Sequence, residues 1–183
     1  MTLNISDLKS GLTFGGARSS LFQVFFANPV NGAGDQKVPL LCRAAAIPES
    51  TIGVIQVPFM GRKIPEAGDR PPFQNWTVTV INDEDFLIRN AMESWHNKIL
   101  GMESNVRGFA SDAPALYKVD ARIVQYDRQG KSIREYTMQD AWPNQISSIR
   151  LDWNAVDTIQ EFNMSFAFTN WSVSGGSTGS PGV

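Results

Sequence analysis

Three separated stretches alternate apolar and polar residues with a period of two, and this pattern constrains the fold more than any other feature of the chain. In residues 76–81, WTVTVI, Trp76, Val78 and Val80 share one face. In residues 117–126, YKVDARIVQY, Tyr117, Val119, Ala121 and Ile123 fall on one side and Lys118, Asp120 and Arg122 on the other. In residues 162–168, FNMSFAF, Phe162, Met164, Phe166 and Phe168 oppose Asn163, Ser165 and Ala167. Successive side chains of a strand point to opposite faces, so these stretches read as antiparallel strands with one dry and one wet face.

Further strands are expected around them. The turn-rich NPVNGAGDQK lies between LFQVFFA (21–27) and VPLLCRAAA (38–46), which predicts a first antiparallel pair with a long connection. The sequence DRQGK supplies a glycine-containing turn after residue 126, so SIREYTMQD returns as the second arm of a hairpin. In ISSIRLDW (146–153), Ile149, Leu151 and Trp153 are expected on one strand face.

One segment carries a helical period instead. Over about 84–100, Leu87, Ile88, Ala91, Trp95 and Ile99 recur at spacings of three and four. The expected architecture is a mainly β single domain over 1–183, an antiparallel sandwich or barrel with one flanking helix. Residues 1–18, with Gly11, Gly15 and Gly16, read as a flexible N-terminal arm, and 173–183 as a flexible Gly/Ser-rich tail. A monomer of this kind leaves sheet edges open, so pairing of those edges between copies is expected.

Chemistry is sparsely signalled. With one cysteine, Cys42, and one histidine, His96, neither an intramolecular disulfide nor a multi-cysteine or paired-histidine metal site is available, and no cofactor is expected. Cys42, inside LLCRA, reads as a small buried apolar residue and His96 as a packed or surface residue beside Trp95. No G-x-S-x-G, phosphate-binding loop or dinucleotide fingerprint occurs. The N-terminus has no secretory pattern and no run reaches a membrane span, which points to synthesis in a reducing cytoplasm. A net charge of −2 argues against tight binding of nucleic acid, which needs many Lys/Arg–phosphate contacts.

The acids Asp83, Glu84 and Asp85 invite two readings: a catalytic or metal-binding cluster, or a helix start. Asn82 or Asp83 is placed to cap the helix, and acids in its first turn would meet the positive end of its dipole. That role accounts for them without catalysis, and a hydrolase using them ranks last. Residues 57–76, VPFMGRKIPEAGDRPPFQNW, read as a long proline-stiffened loop. Apolar Phe59 and Met60 with Arg62, Lys63, Asp69 and Arg70 have the composition of a protein–protein contact. A loop folded onto its own domain is the alternative.

The segments LFQV, FMGRKIPEAGDR, NWTVTVINDED and LDWNAVDTIQEF, closing on Trp171, occur in an order that resembles the tail tube proteins of contractile-tailed bacteriophages of the T-even type. The likeness spans about residues 21–171. It implies a non-enzymatic virion protein of the phage tail, assembled in the host cytoplasm as six-membered rings that stack into a hollow tube. The implied partners are other copies of the chain, the contractile sheath protein, and baseplate and tube-terminator proteins. DNA would pass through the lumen without specific binding. By the same resemblance Phe59, Met60, Arg62, Lys63, Asp69 and Arg70 are candidates for contacts between rings or subunits. Two alternatives stand beside it: a baseplate or terminator protein of the same fold, and a β-sandwich carbohydrate- or receptor-binding module. The second would use Trp95, Trp142, Trp153 and Trp171, although Trp95 and Trp153 sit in register with apolar faces.

Overall fold

The computed structural model describes residues 4–12, 15–109 and 113–175. Nine strands are found among them: β1 (Phe22–Phe26), β2 (Cys42–Ala45), β3 (Val54–Phe59), β4 (Arg62–Ala67), β5 (Trp76–Ile81), β6 (Val119–Tyr126), β7 (Ser132–Ile146), β8 (Glu161–Ala167) and β9 (Asn170–Ser174). The helices are α1 (Ile5–Gly11), the single turn α2 (Val38–Leu41) and α3 (Leu87–Ile99). All strand pairs are antiparallel.

The long strand β7 belongs to two sheets. Its first part pairs with β6 and β9, and its last part with β8. The switch occurs at a bulge around Asp140, whose φ of 57° bends the strand and whose N–H is bonded by Asp120 Oδ1 at 3.3 Å. One sheet therefore runs β1–β6–β7–β9 and the other β7–β8–β5–β2. β1 and β2 come together at the seam without forming a ladder. The result is a sandwich on the way to a barrel, with edges left at β1, β2 and β9.

The alternating stretches supply the core as their period requires. Trp76, Val78, Val80, Ala121, Ile123, Phe162, Met164 and Phe166 are all buried between the sheets. Helix α3 closes one side with Ile88, Ala91, Met92 and Trp95, spaced so that they share a face. Phe26, Trp76, Trp95 and Phe166 form an aromatic cluster with ring centroids 5.3–6.5 Å apart. The two indole N–H groups find backbone acceptors, Trp76 on Ala46 O at 2.9 Å and Trp95 on Tyr117 O at 3.1 Å.

Two expected strand assignments are corrected. Residues 21–27 and 38–46 do not pair with each other: β1 pairs with β6 and β2 with β5, and Val38–Leu41 is helical. The cause lies in the connection. Buried Asn28 accepts from Val30 N and Asn31 N and donates Nδ2 to Ala91 O at 2.9 Å, which ties the turn to α3. Gly34 packs so closely on this helix that a Cβ there would stand 3.1 Å from Ile88 Cα. The chain is thereby carried across α3 instead of back along β1. The second correction concerns residues 146–153. β7 ends at Ile146, and Leu151 and Trp153 lie exposed in the connection to β8.

The ends also differ from simple arms. Residues 5–11 form α1, capped by Asn4 and with no buried residue, while β9 reaches into the expected tail as far as Ser174. Residues 1–3, 13–14 and 176–183 lie outside the described residues.

Candidate functional site

The expected 57–76 loop is largely a β-hairpin. β3 and β4 pair over six positions, from Val54↔Ala67 to Phe59↔Arg62, and form a sheet of their own. Met60 and Gly61 make the connection with φ of 45° and 80°. Positive φ at both central residues gives the turn whose twist matches that of the flanking strands. The prolines that suggested a loop are tolerated because each strand has only one neighbour, so neither Pro58 nor Pro65 interrupts a ladder on its outer side.

Every residue of the two strands is exposed, and Met60 at the tip is 93% exposed. Cross-strand register sorts the side chains. Ile55, Val57 and Phe59 share a face with Glu66, Ile64 and Arg62, while Val54, Gln56 and Pro58 share the other with Ala67, Pro65 and Lys63. The first face is an apolar strip with Glu66 toward the base and Arg62 at the tip. A two-stranded hairpin alone is marginally stable in water, and this one rests on no other strand.

Its base is clasped. Gly53 N donates to Asp69 O at 2.9 Å and Gly68 N to Gly53 O at 2.7 Å. A Cβ on Gly53 would lie 2.7 Å from Asp69 O, so only glycine fits. Arg70 donates to Ser50 Oγ at 3.1 Å and lies over Phe73, which stacks on Phe168 of the main domain. The six residues singled out in the sequence therefore divide. Phe59, Met60, Arg62 and Lys63 gather at the tip, whereas Asp69 and Arg70 anchor the base. No charge pairs among them are formed within the chain.

The acids before α3 are also placed differently from the expected cap. The helix begins at Leu87, with Phe86 as the preceding residue at φ 51° and no side-chain cap. Asn82 pairs with Gln160 instead, through its backbone and through Nδ2 to Oε1. Asp83 accepts from Glu84 N, and its carbonyl closes a turn with Phe86 N. Asp85 Oδ1 accepts from Leu87 N at 3.0 Å, so the first helical N–H is met by Asp85, not by Asn82 or Asp83. The acids converge on Lys37, with Asp83 Oδ2 at 2.8 Å and Asp85 Oδ2 also bonded. An intervening turn and a distant cation have displaced the local capping pattern.

Lys37 holds the Asp85 carboxyl below its ordinary value, with help from Leu87 N–H, and the two carboxylates raise the Lys37 ammonium. The lowered carboxyl stabilises the fold above its ordinary value near pH 4, and this contribution fades as pH falls through its folded value. The raised ammonium stabilises below its ordinary value near pH 10 and loses its effect as pH rises further. Lys37→Ala should therefore lower the unfolding midpoint slightly and evenly across neutral pH. The difference from the unmodified chain should vanish in acid and in strong alkali, as a thermal melt at several pH values will show.

Other candidate groups are structural in their surroundings. Cys42 is half-buried, and burial pushes its thiol up to about 12, which leaves it protonated and unreactive. His96 lies on the last turn of α3, its carbonyl accepting from Leu100 N. Among the described residues no group of three His, Cys, Asp or Glu is placed to hold a metal ion. Trp95 is fully buried, Trp142 and Trp171 are half-buried, and Trp153 is 103% exposed, so the four do not share an open surface.

A second exposed apolar segment, Leu151, Trp153, Val156 and Ile159, lies in the β7–β8 connection, where sequence reasoning did not look for one. Asp152 Oδ1 accepts from Asn154 N at 3.0 Å, and Asp157 has φ 56°. An Asp and an Asn two residues apart are the turn signal that the expected strand overlooked. The outer face of the β7–β8–β5–β2 sheet is polar and internally paired, Thr77 with Ser165 at 3.0 Å and Thr79 with Asn163 at 2.8 Å.

Comparison with known proteins places these features in context. Residues 17–174 match the phage tail tube protein family. The chain is 36% identical over 156 residues to the tail tube protein gp19 of Enterobacteria phage T6, covering 85% of this chain and 90% of that protein. The same values hold for gp19 of Enterobacteria phage T4. In fold, it is similar to a chain in the tube-terminating cap of the anti-feeding prophage, with a TM-score of 0.62 and 15% identity, covering 87% of this chain and 91% of that one.

Proposed function

The chain belongs to the phage tail tube protein family, and from this we propose that its subunits form six-membered rings that stack into the hollow tube of a contractile tail. It is a structural component of the virion tail. The observation that carries the stacking is the β3–β4 hairpin, an apolar strip wholly exposed in one subunit. In a ring stack this strip is covered by a neighbouring copy, and burial of apolar surface drives the contact.

Closure of the ring follows from the sheet edges. β1, β2 and β9 each have an unpaired side, and pairing between neighbours removes the exposed ladders. Residues 1–183 act as one tail-tube domain. The sheath surrounds the tube, and baseplate and terminator proteins bound its length. DNA passes along the bore without specific binding; a wall of hydroxyl and amide pairs such as Thr77–Ser165 and Thr79–Asn163 holds no phosphate by charge. The chain acts by assembly and not by catalysis: the Asp83 and Asp85 carboxylates are occupied by Lys37 and by backbone N–H groups.

Arg62 at the hairpin tip and Asp69 at its base carry charges unpaired within the subunit and are proposed to pair across or beside the ring interface, with Phe59 and Met60 as apolar anchors. Arg62→Glu or Asp69→Lys should shorten or abolish tubes while circular dichroism and the unfolding midpoint stay close to those of the unmodified chain. Tubes of normal length from both variants would remove these two residues from the interface.

A further inference from the structure

We propose that the hairpin of one copy docks by the face of Ile55, Val57 and Phe59 on the β7–β8 connection of a second copy, Phe59 and the tip residue Met60 packing on Leu151 and Trp153 while Arg62 faces Asp157. The proposal rests on the stacked-ring reading and names the surface that receives the hairpin. Both surfaces are exposed within one subunit. The strip of Ile55, Val57, Phe59 and Ile64 has no cover, and Leu151, Trp153, Val156 and Ile159 have none either. Two different patches on one chain that fit each other make a head-to-tail contact, which repeats from copy to copy instead of closing a pair.

Charge narrows the receivers among the exposed apolar segments to those with an excess of acid. On the docking face Arg62 lies at the tip and Glu66 toward the base, and among the described residues Arg62 makes no ion pair. Residues 150–159 carry two acids and one base, Asp152, Asp157 and Arg150. Arg150 offsets Asp152 at 3.0 Å and leaves Asp157 unpaired. By contrast, α1 carries Asp7 with Lys9, and residues 100–107 carry Glu103 with Arg107, so each is balanced; residues 47–52, with exposed Ile47 and Ile52, carry the acid Glu49 but no aromatic ring. The fully exposed Trp153 indole also offers a ring face on which an arginine can stack.

The prolines fix the mode of docking. Pro58 and Pro65 lie on the two strands of the hairpin and weaken either strand as a template for adding another. A contact through the side-chain face remains open to it. Face docking would cover the larger apolar side chains Ile55, Val57 and Phe59, which lie on one side with Ile64.

The test uses the full-length chain with Cys42 changed to serine, so that engineered thiols are alone. Met60→Cys and Trp153→Cys are made as separate proteins, mixed, allowed to polymerise and exposed to a mild oxidant. The proposal predicts a disulfide-linked dimer of one Met60→Cys chain with one Trp153→Cys chain, formed in the mixture and scarce in either protein alone. Tubes without that crosslink would overturn the docking while leaving the stacked-ring reading in place. Failure of the unmodified chain to form any polymer would remove the stacked-ring reading, and this contact with it.

Charge reversal gives a second readout that does not depend on Trp153. Arg62→Asp and Asp157→Arg should each raise the concentration needed for polymerisation by about tenfold or more. Their combination should restore most of the loss. A double variant no better than the worse single one would overturn the pairing.

Discussion

Replacing Val57 and Phe59 together by aspartate should abolish tube formation and leave a soluble, folded subunit. Both side chains lie on the exposed strip of the hairpin, so in the isolated subunit they cover nothing in the core. Substitutions at such positions usually change subunit stability by about 0.5 kcal/mol or less each. In the polymer Phe59 is a proposed anchor and Val57 lies beside it on the covered strip, and truncating a central apolar anchor costs about 2–4 kcal/mol. Each 1.4 kcal/mol is a factor of ten in an association constant. Loss of the two apolar side chains and burial of two charges together then raise the polymerisation threshold by roughly a thousandfold or more. Sedimentation and electron microscopy at increasing concentration measure that threshold. An unchanged threshold would mean that the strip faces solvent in the tube.

The other large effect is on the fold itself. Trp95→Ala should unfold the subunit at 37 °C or bring its unfolding midpoint down by many degrees. Trp95 is fully buried, meets Phe26 and Phe166 at ring-centroid distances of 6.5 and 6.3 Å, and donates its indole N–H to Tyr117 O. Removing it opens a cavity where α3 meets both sheets and leaves the half-buried Tyr117 carbonyl without this donor. Losses of about 3–5 kcal/mol are typical for a buried tryptophan replaced by alanine, against a total stability of about 5–15 kcal/mol for a domain. Calorimetry of the two proteins reads the difference directly. Trp153→Ala is the control: the same chemical change at a fully exposed ring should leave the midpoint nearly unmoved and act on assembly alone.

The contrast between these two tryptophans shows what the sequence made legible. Strands with one buried face announce themselves by a period of two, and residues 76–81, 119–126 and 161–167 were readable for that reason. Trp95 was readable because the helical period placed it with Ile88 and Ala91. The family was readable from several motifs in order, and the match over residues 17–174 agrees with it. Trp153 misled because apolar residues at alternate positions, Ile149, Leu151 and Trp153, imitate a buried strand. Nothing in a single chain distinguishes apolar residues meant for its own core from those meant for a neighbour.

The hairpin at residues 54–67 was missed for a related reason. Its strands bury neither face, so no alternation marks them, and two prolines suggested a loop. What specifies it is the Met60–Gly61 turn and the glycine clasp at residues 53 and 68. The helix cap failed differently. Asp83 and Asp85 have the composition of a helix start, but Lys37 lies 46 residues before Asp83 in the chain and draws both acids into an ion-pair cluster. A partner so distant in sequence is brought there by the fold and is invisible in a local reading.

Negative-stain electron microscopy of the purified chain tests the central claim most directly. Hollow tubes of stacked six-membered rings are expected, growing longer with protein concentration and absent from the Val57→Asp, Phe59→Asp variant. A strictly monomeric protein that binds glycans, or single rings that cap a tube without ever stacking on one another, would contradict it.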